Sequence, residues 1–175
     1  GKGNGANARR PLPKDAAAAV PGNLYFGFCE DFIRVLQKLA GAESKPEEGK
    51  TANLIAKMEF DDATGRPKTP IQVGRACTIL EVGEVRVRDG WRESKADFYW
   101  PSGFKSTRTF PSMRQDGVCK YICEVKEGEA GQPLFSVTCD DDPAAAFTAS
   151  SPSQCWLQVM DKVNAFRAAK RPRLS

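Results

Sequence analysis

A chain of 175 residues, 41 % hydrophobic and 27 % charged, has the balance of one ordinary globular domain with tails, which excludes a fibrous or wholly disordered polypeptide. It contains no histidine, so Ser-His-Asp and Cys-His hydrolysis, His-based zinc proteolysis and two-His iron oxygenation are excluded. The net charge of +4 is uneven: residues 1–22 carry +3, residues 161–175 carry +4 and the middle carries −3, which directs any weak nucleic-acid contact to the termini.

Residues 1–22, with repeated glycine and proline and no periodicity, are expected to form a flexible basic arm. From Asn23 the pattern changes, and Cys29, Phe32, Ile33, Leu36, Leu39 and Ala40 fall on one stripe of a helix over 23–41, with Gly41 as its stop. Two readings of this amphipathic helix stand open. It docks on its own domain, or Phe32, Ile33, Leu36 and Leu39 form a face for a partner, because the polar stretch 42–68 reads as a linker.

The β-branched and aliphatic run from Pro70 to Val87, broken at Gly74 and Gly83, predicts two or three short strands. Val118–Val125 alternates with Tyr121, Cys123 and Val125 on one face. After a Gly-rich turn at 127–132, Phe135, Val137 and Cys139 alternate likewise, giving an antiparallel hairpin. Ser151, Pro152 and Gln154 have capping-box spacing, and Trp156, Val159, Met160, Val163 and Phe166 form the stripe of a helix of about 15 residues lying across the sheet. A basic tail over 168–175 follows, in which Lys170, Arg171 and Arg173 read as a nuclear import signal. Strands followed by a covering helix indicate an α+β fold.

The six cysteines include no Cys-x-x-Cys pair, and the chain opens without an apolar leader, so they are expected to be reduced and mostly buried as small hydrophobes. Asp140-Asp141-Asp142-Pro143 reads as a solvated turn, since three neighbouring carboxylates cannot converge on one ion. No GxxxxGK[ST] loop, no paired-carboxylate motif and no apolar run of about 18 residues is present. No catalytic residue, cofactor, metal, small-molecule substrate or membrane contact is therefore expected.

The segment Asp97-Phe98-Tyr99-Trp100-Pro101-Ser102-Gly103-Phe104-Lys105-Ser106-Thr107-Arg108-Thr109-Phe110 sets three successive aromatics, a proline, a glycine and further aromatics at fixed offsets. It resembles the FYRN motif. Tyr121-x-Cys123, Pro133-x-Phe135-x-Val137, Asp142-Pro143 and Ala149-Ser150-Ser151-Pro152-Ser153-x-Cys155-Trp156 then resemble the FYRC motif. Together they identify a phenylalanine/tyrosine-rich (FYR) domain over 69–167, with FYRN at about 70–113 and FYRC at about 117–160, most like the stand-alone regulators of that family because the two motifs nearly adjoin. Phe104 stands where the family often has tyrosine, which removes one hydroxyl.

The resemblance implies a single α+β module, its antiparallel sheet packed against the C-terminal helix, with the helix at 23–41 as an extra element. It also implies a nuclear, non-catalytic interaction module in a chromatin-remodelling or histone-modifying complex, in contact with other subunits or histones. The alternative function is nucleic-acid binding through the basic ends. The motif aromatics, each able to bury about 150–250 Å², read as a core and its rim rather than a ligand cage. Gly103 is expected to permit a tight turn after Pro101. Arg108 pairs inside the module or meets an acidic group on a partner.

Overall fold

The computed structural model describes residues 28–39, 48–93 and 98–170. The basic arm at 1–22, and Arg171 and Arg173 of the tail, lie outside the described residues. Six strands run in chain order through one antiparallel meander: β1 (Ile71–Gln72), β2 (Cys77–Glu81), β3 (Lys105–Pro111), β4 (Val118–Glu127), β5 (Pro133–Cys139) and β6 (Asp142–Ala149). Three helices accompany them: α1 (Glu30–Leu39), α2 (Glu48–Ala56) and α3 (Pro152–Lys170), the last lying against β5 and β6. This is the α+β fold expected, with one sheet and a C-terminal covering helix.

Register puts the apolar residues on one face. Ile79, Ser106, Cys123, Val137 and Phe147 stand opposite one another across β2 to β6, all buried. The next row is Thr78, Thr107, Ile122, Thr138 and Ala146 on the other face, which stays at least partly exposed. One face of an antiparallel sheet packed and one solvated gives the alternation seen in β4.

The last helix forms as its sequence suggests, but runs 19 residues instead of about 15. Ser151 Oγ accepts the Gln154 N–H at 3.4 Å, and Cys155, Trp156, Val159, Met160 and Val163 face the sheet. Lys170 therefore belongs to this helix, not to a tail, and its Nζ lies 2.8 Å from Asp116 Oδ2.

Three elements differ from expectation. The stretch 42–68 is folded in its described part: α2 buries Thr51, and Met58 follows it into the core. A turn closed by Asp61, whose carboxylate accepts the Ala63 and Thr64 N–H groups at 2.9 Å each, then leads to β1. Strand β6 arises where only a turn was foreseen, because Asp140 and Asp141 make the turn and Asp142–Ala149 pairs with β5. Beyond Gly83 the run to Val87 leaves the sheet; Glu84 makes a single bridge to Ser102 and Val87 is 71 % exposed.

Candidate functional site

The FYRN-like segment enters the core as a chain of rings. Phe98, Trp100 and Phe104 are buried, Pro101 is buried with them, and Tyr99 between them is half-buried. Trp100 lies edge-on to Phe98 and to Phe135, each with centroids 5.0 Å apart, and Phe28 packs on both Trp100 (6.2 Å) and Phe135 (5.5 Å). Farther along, Phe110 meets Tyr121 at 6.0 Å and Trp156 at 5.4 Å, and Tyr121 meets Trp156 at 5.6 Å. Three contacts, Trp100 with Phe135 and Phe110 with both Tyr121 and Trp156, join the first motif to the second. The rings are a core, and the two motifs fill it jointly.

Backbone geometry explains the glycine. Gly103 has φ +87°, donates its N–H to Val125 O at 2.9 Å, and lets the chain turn from Pro101 into β3. Gly83 faces this turn so closely that a β-carbon there would sit 2.6 Å from Phe104 N and 2.7 Å from Ser102 O.

Trp91, which the sequence reading passed over, is 1 % exposed and donates its indole N–H to Gly131 O at 2.8 Å, pinning the β4–β5 turn. Arg88 lies over its ring at 4.0 Å and pairs with Glu127 at 2.9 Å. Tyr121 donates its hydroxyl to Pro111 O at 2.6 Å, and burial, with Cys119 and Cys139 beside it, pushes that hydroxyl above its usual range. Trp100 donates to Glu93 Oε2 at 3.0 Å.

The helix offered as a partner face is used internally, which corrects that reading. Phe32, Ile33 and Leu36 are buried in the same core, and Leu39, at 47 % exposure, is the exception. The signal the sequence reading missed is Gln37, which is fully buried. Its Oε1 accepts the Tyr99 N–H at 2.8 Å while its Nε2 donates to Tyr99 O, so one amide closes both backbone valences of a motif residue. A polar residue two positions before the exposed Leu39 gives no periodic hint of this.

Arg108 does not reach outward. It stands opposite Cys77 in the register and opposite Tyr121 on the other side, half-buried, with its guanidinium beside Cys77. Five cysteines are buried and Cys29 is half-buried, as small hydrophobes would be. Cys155 donates to Phe135 O at 3.1 Å, and burial pushes its thiol up to about 12. Two pairs bring sulfurs together, Cys29 with Cys77 at 2.8 Å and Cys119 with Cys139 at 3.0 Å.

Among the described residues, Cys119, Cys139 and the exposed Asp140 form one group with donor atoms within 4.8 Å of one another, one donor short of a four-coordinate structural zinc site. The adjoining turn is held by protein: Asp141 accepts from the Ser112 hydroxyl and from Gln115 Nε2 at 3.0 Å. The Ser112 bond, above all, holds its carboxyl below the usual range. Among the described residues no helix is long and apolar enough to cross a membrane.

Residues 68–128 match the family model for the F/Y-rich N-terminus, FYRN, and residues 132–175 match that for the F/Y-rich C-terminus, FYRC. The human protein transforming growth factor beta regulator 1 is 31 % identical over 144 residues, covering 81 % of this chain and 33 % of its own length. The rice lysine-specific demethylase JMJ703 is 26 % identical over 75 % of this chain and 11 % of its own. The fruit-fly histone-lysine N-methyltransferase trr is 28 % identical over 55 % of this chain and 4 % of its own. The chain thus spans about a third of the length of the regulators it matches. With both halves matched in order and their rings interlocked in one core, the chain belongs to the FYR-domain family.

Proposed function

We propose that this chain is a non-catalytic interaction module of the nucleus, serving as a subunit of a chromatin-remodelling or histone-modifying complex. One observation supports the reading: FYRN and FYRC together make a single folded unit, and the proteins this unit is similar to include a demethylase and a histone methyltransferase by name. A unit whose motif rings are spent on its own core offers a shaped surface to a partner, and its contacts are with complex subunits or histones. The basic run Lys170, Arg171 and Arg173 supplies nuclear import.

The test is affinity purification of the tagged chain from nuclei under gentle salt with nuclease, followed by mass spectrometry. Stoichiometric remodeller or histone-modifying subunits are the expected result. Recovery of importins and nucleic-acid-dependent proteins alone refutes the platform reading. If DNA binding is then lost on deleting 1–22 and 171–175, the basic ends are the working parts.

A further inference from the structure

Cys29 and Cys77 are 48 residues apart in sequence, yet their sulfurs lie 2.8 Å from each other and are not bonded. Cys29 stands at the N-terminal end of α1, where its carbonyl accepts the Ile33 N–H at 3.0 Å, and it holds φ +53°, a left-handed conformation that residues with a β-carbon rarely adopt. Cys77 opens β2 directly opposite Arg108. We propose that Cys29 and Cys77 form an oxidisable dithiol that a peroxide closes to a disulfide, clamping α1 to β2 of the FYR sheet.

The pair has the parts such chemistry needs. A hydrogen bond joins the Cys29 and Cys77 sulfurs, and together with the positive charge and hydrogen bond of the Arg108 guanidinium it holds the Cys77 thiol below its usual range. The Cys77 thiolate attacks one peroxide oxygen; an S–O bond forms, the O–O bond breaks, and hydroxide leaves and takes up a proton. The Cys29 sulfur then attacks the sulfenic sulfur; the S–S bond forms and the S–O bond breaks. The departing hydroxide takes up the thiol proton of Cys29. Two thiols and one peroxide give one disulfide and two waters, the sulfurs losing the two electrons that the oxygens gain.

Cys119 and Cys139 offer the contrast. They lie on strands already paired, and burial raises the Cys119 thiol. Beside Cys119 the charged neighbour is the Asp141 carboxylate, which opposes ionisation.

The experiment treats the fully reduced full-length protein with limiting hydrogen peroxide, blocks remaining thiols and digests it with trypsin without reduction. The expected product is the cross-link of peptide 15–34 to peptide 76–86, lighter by two hydrogens than their sum and cleaved by dithiothreitol. Arg108→Gln is expected to slow its formation about tenfold, one pKa unit of thiolate, while Arg108→Lys keeps most of the rate. Cys29→Ser is expected to leave Cys77 as a sulfenic acid trapped by dimedone. In the wild type, closing this loop raises the Tm of the oxidised form by roughly 8–16 °C over the reduced form. A cross-link between Cys119 and Cys139 that forms first, or an unchanged rate in a folded Arg108→Gln protein, overturns the proposal, as does an unchanged Tm on oxidation.

Discussion

Removing the Gln37 amide tests whether α1 is part of the module or an ornament on it. Gln37 is fully buried and closes both the N–H and the C=O of half-buried Tyr99, so Gln37→Ala deletes two hydrogen bonds and leaves two backbone groups without that partner. A net loss of about 1 kcal/mol per bond, with the desolvation of the orphaned groups added, puts the cost at about 2–4 kcal/mol. That is a large part of the about 5–15 kcal/mol that holds an ordinary domain together. At about 2–4 °C per kcal/mol for a chain of this length, the Tm falls by roughly 4–16 °C.

Gln37→Glu separates the amide's two roles. A carboxylate accepts from Tyr99 N–H but cannot donate to Tyr99 O, whereas the protonated acid does both. Its folded-state pKa is therefore raised above the unfolded value of about 4.3, so its stabilising contribution is complete below that pH and is lost as pH rises toward neutrality. Calorimetry from pH 4 to 7 should show Gln37→Glu near wild type at the acid end and falling behind it upward, with the Gln37→Ala deficit constant. A Gln37→Ala protein within about 0.5 kcal/mol of wild type would refute the seating of α1 on the aromatic motif.

Trp156→Ala should cost about 3–5 kcal/mol in urea unfolding, because the ring is 2 % exposed against Phe110 and Tyr121; an unchanged midpoint would place the ring at the surface. Gly83→Ala and Gly65→Ala share a left-handed φ, +71° and +70°, but a β-carbon meets backbone at 2.6 Å in the first and open space in the second. Gly65→Ala should therefore cost about 1–2 kcal/mol and Gly83→Ala distinctly more, and equal costs would show that the approach of Gly83 to Phe104 is not tight. Asp141 has a depressed folded-state pKa, so its contribution is present above the unfolded value of about 3.9 and is lost as pH falls through the folded one. The Tm gap between wild type and Asp141→Asn should be widest near neutral pH and close in acid, and a gap independent of pH would refute the Ser112–Asp141 contact.

The elements legible in the sequence are those whose burial repeats at a fixed interval. Strand β4 alternates cleanly, β5 does so apart from the buried Ser136, and α3 announces itself by Ser151, Pro152 and an apolar stripe. Strand β3 hides because Lys105–Pro111 offers Phe110 alone as a large apolar side chain, its other inward positions being Ser106 and Arg108. Strand β6 hides for a related reason: Asp142–Ala149 is an alanine run that buries Phe147 alone, and its place is set by pairing with β5. Helix α2 contains Gly49 and has a narrow buried side, Thr51 followed by half-buried Leu54, so its polar composition reads as linker. Of the site, the rings of both motifs are evident from their spacing, whereas Gln37, Trp91 and the meeting of Cys29 with Cys77 depend on contacts across 40 to 62 residues.

The matched family regions begin at residue 68, but among the described residues the core they fill extends back to Phe28. Phe28 touches Trp100 from the first motif and Phe135 from the second, so a ring outside both sits where they join. This has a bearing on how partner binding is to be mapped. A substitution at Trp100, Phe135 or Trp156 removes a buried ring, and it weakens every surface of the module at once by lowering the folded fraction. Loss of binding in such a variant does not locate a contact. A contact residue is one whose substitution weakens binding at an unchanged Tm, and that excludes the residues that define the motifs. The candidates are instead positions such as Thr107 and Ile122 on the partly exposed sheet face, whose side chains can change without emptying the core.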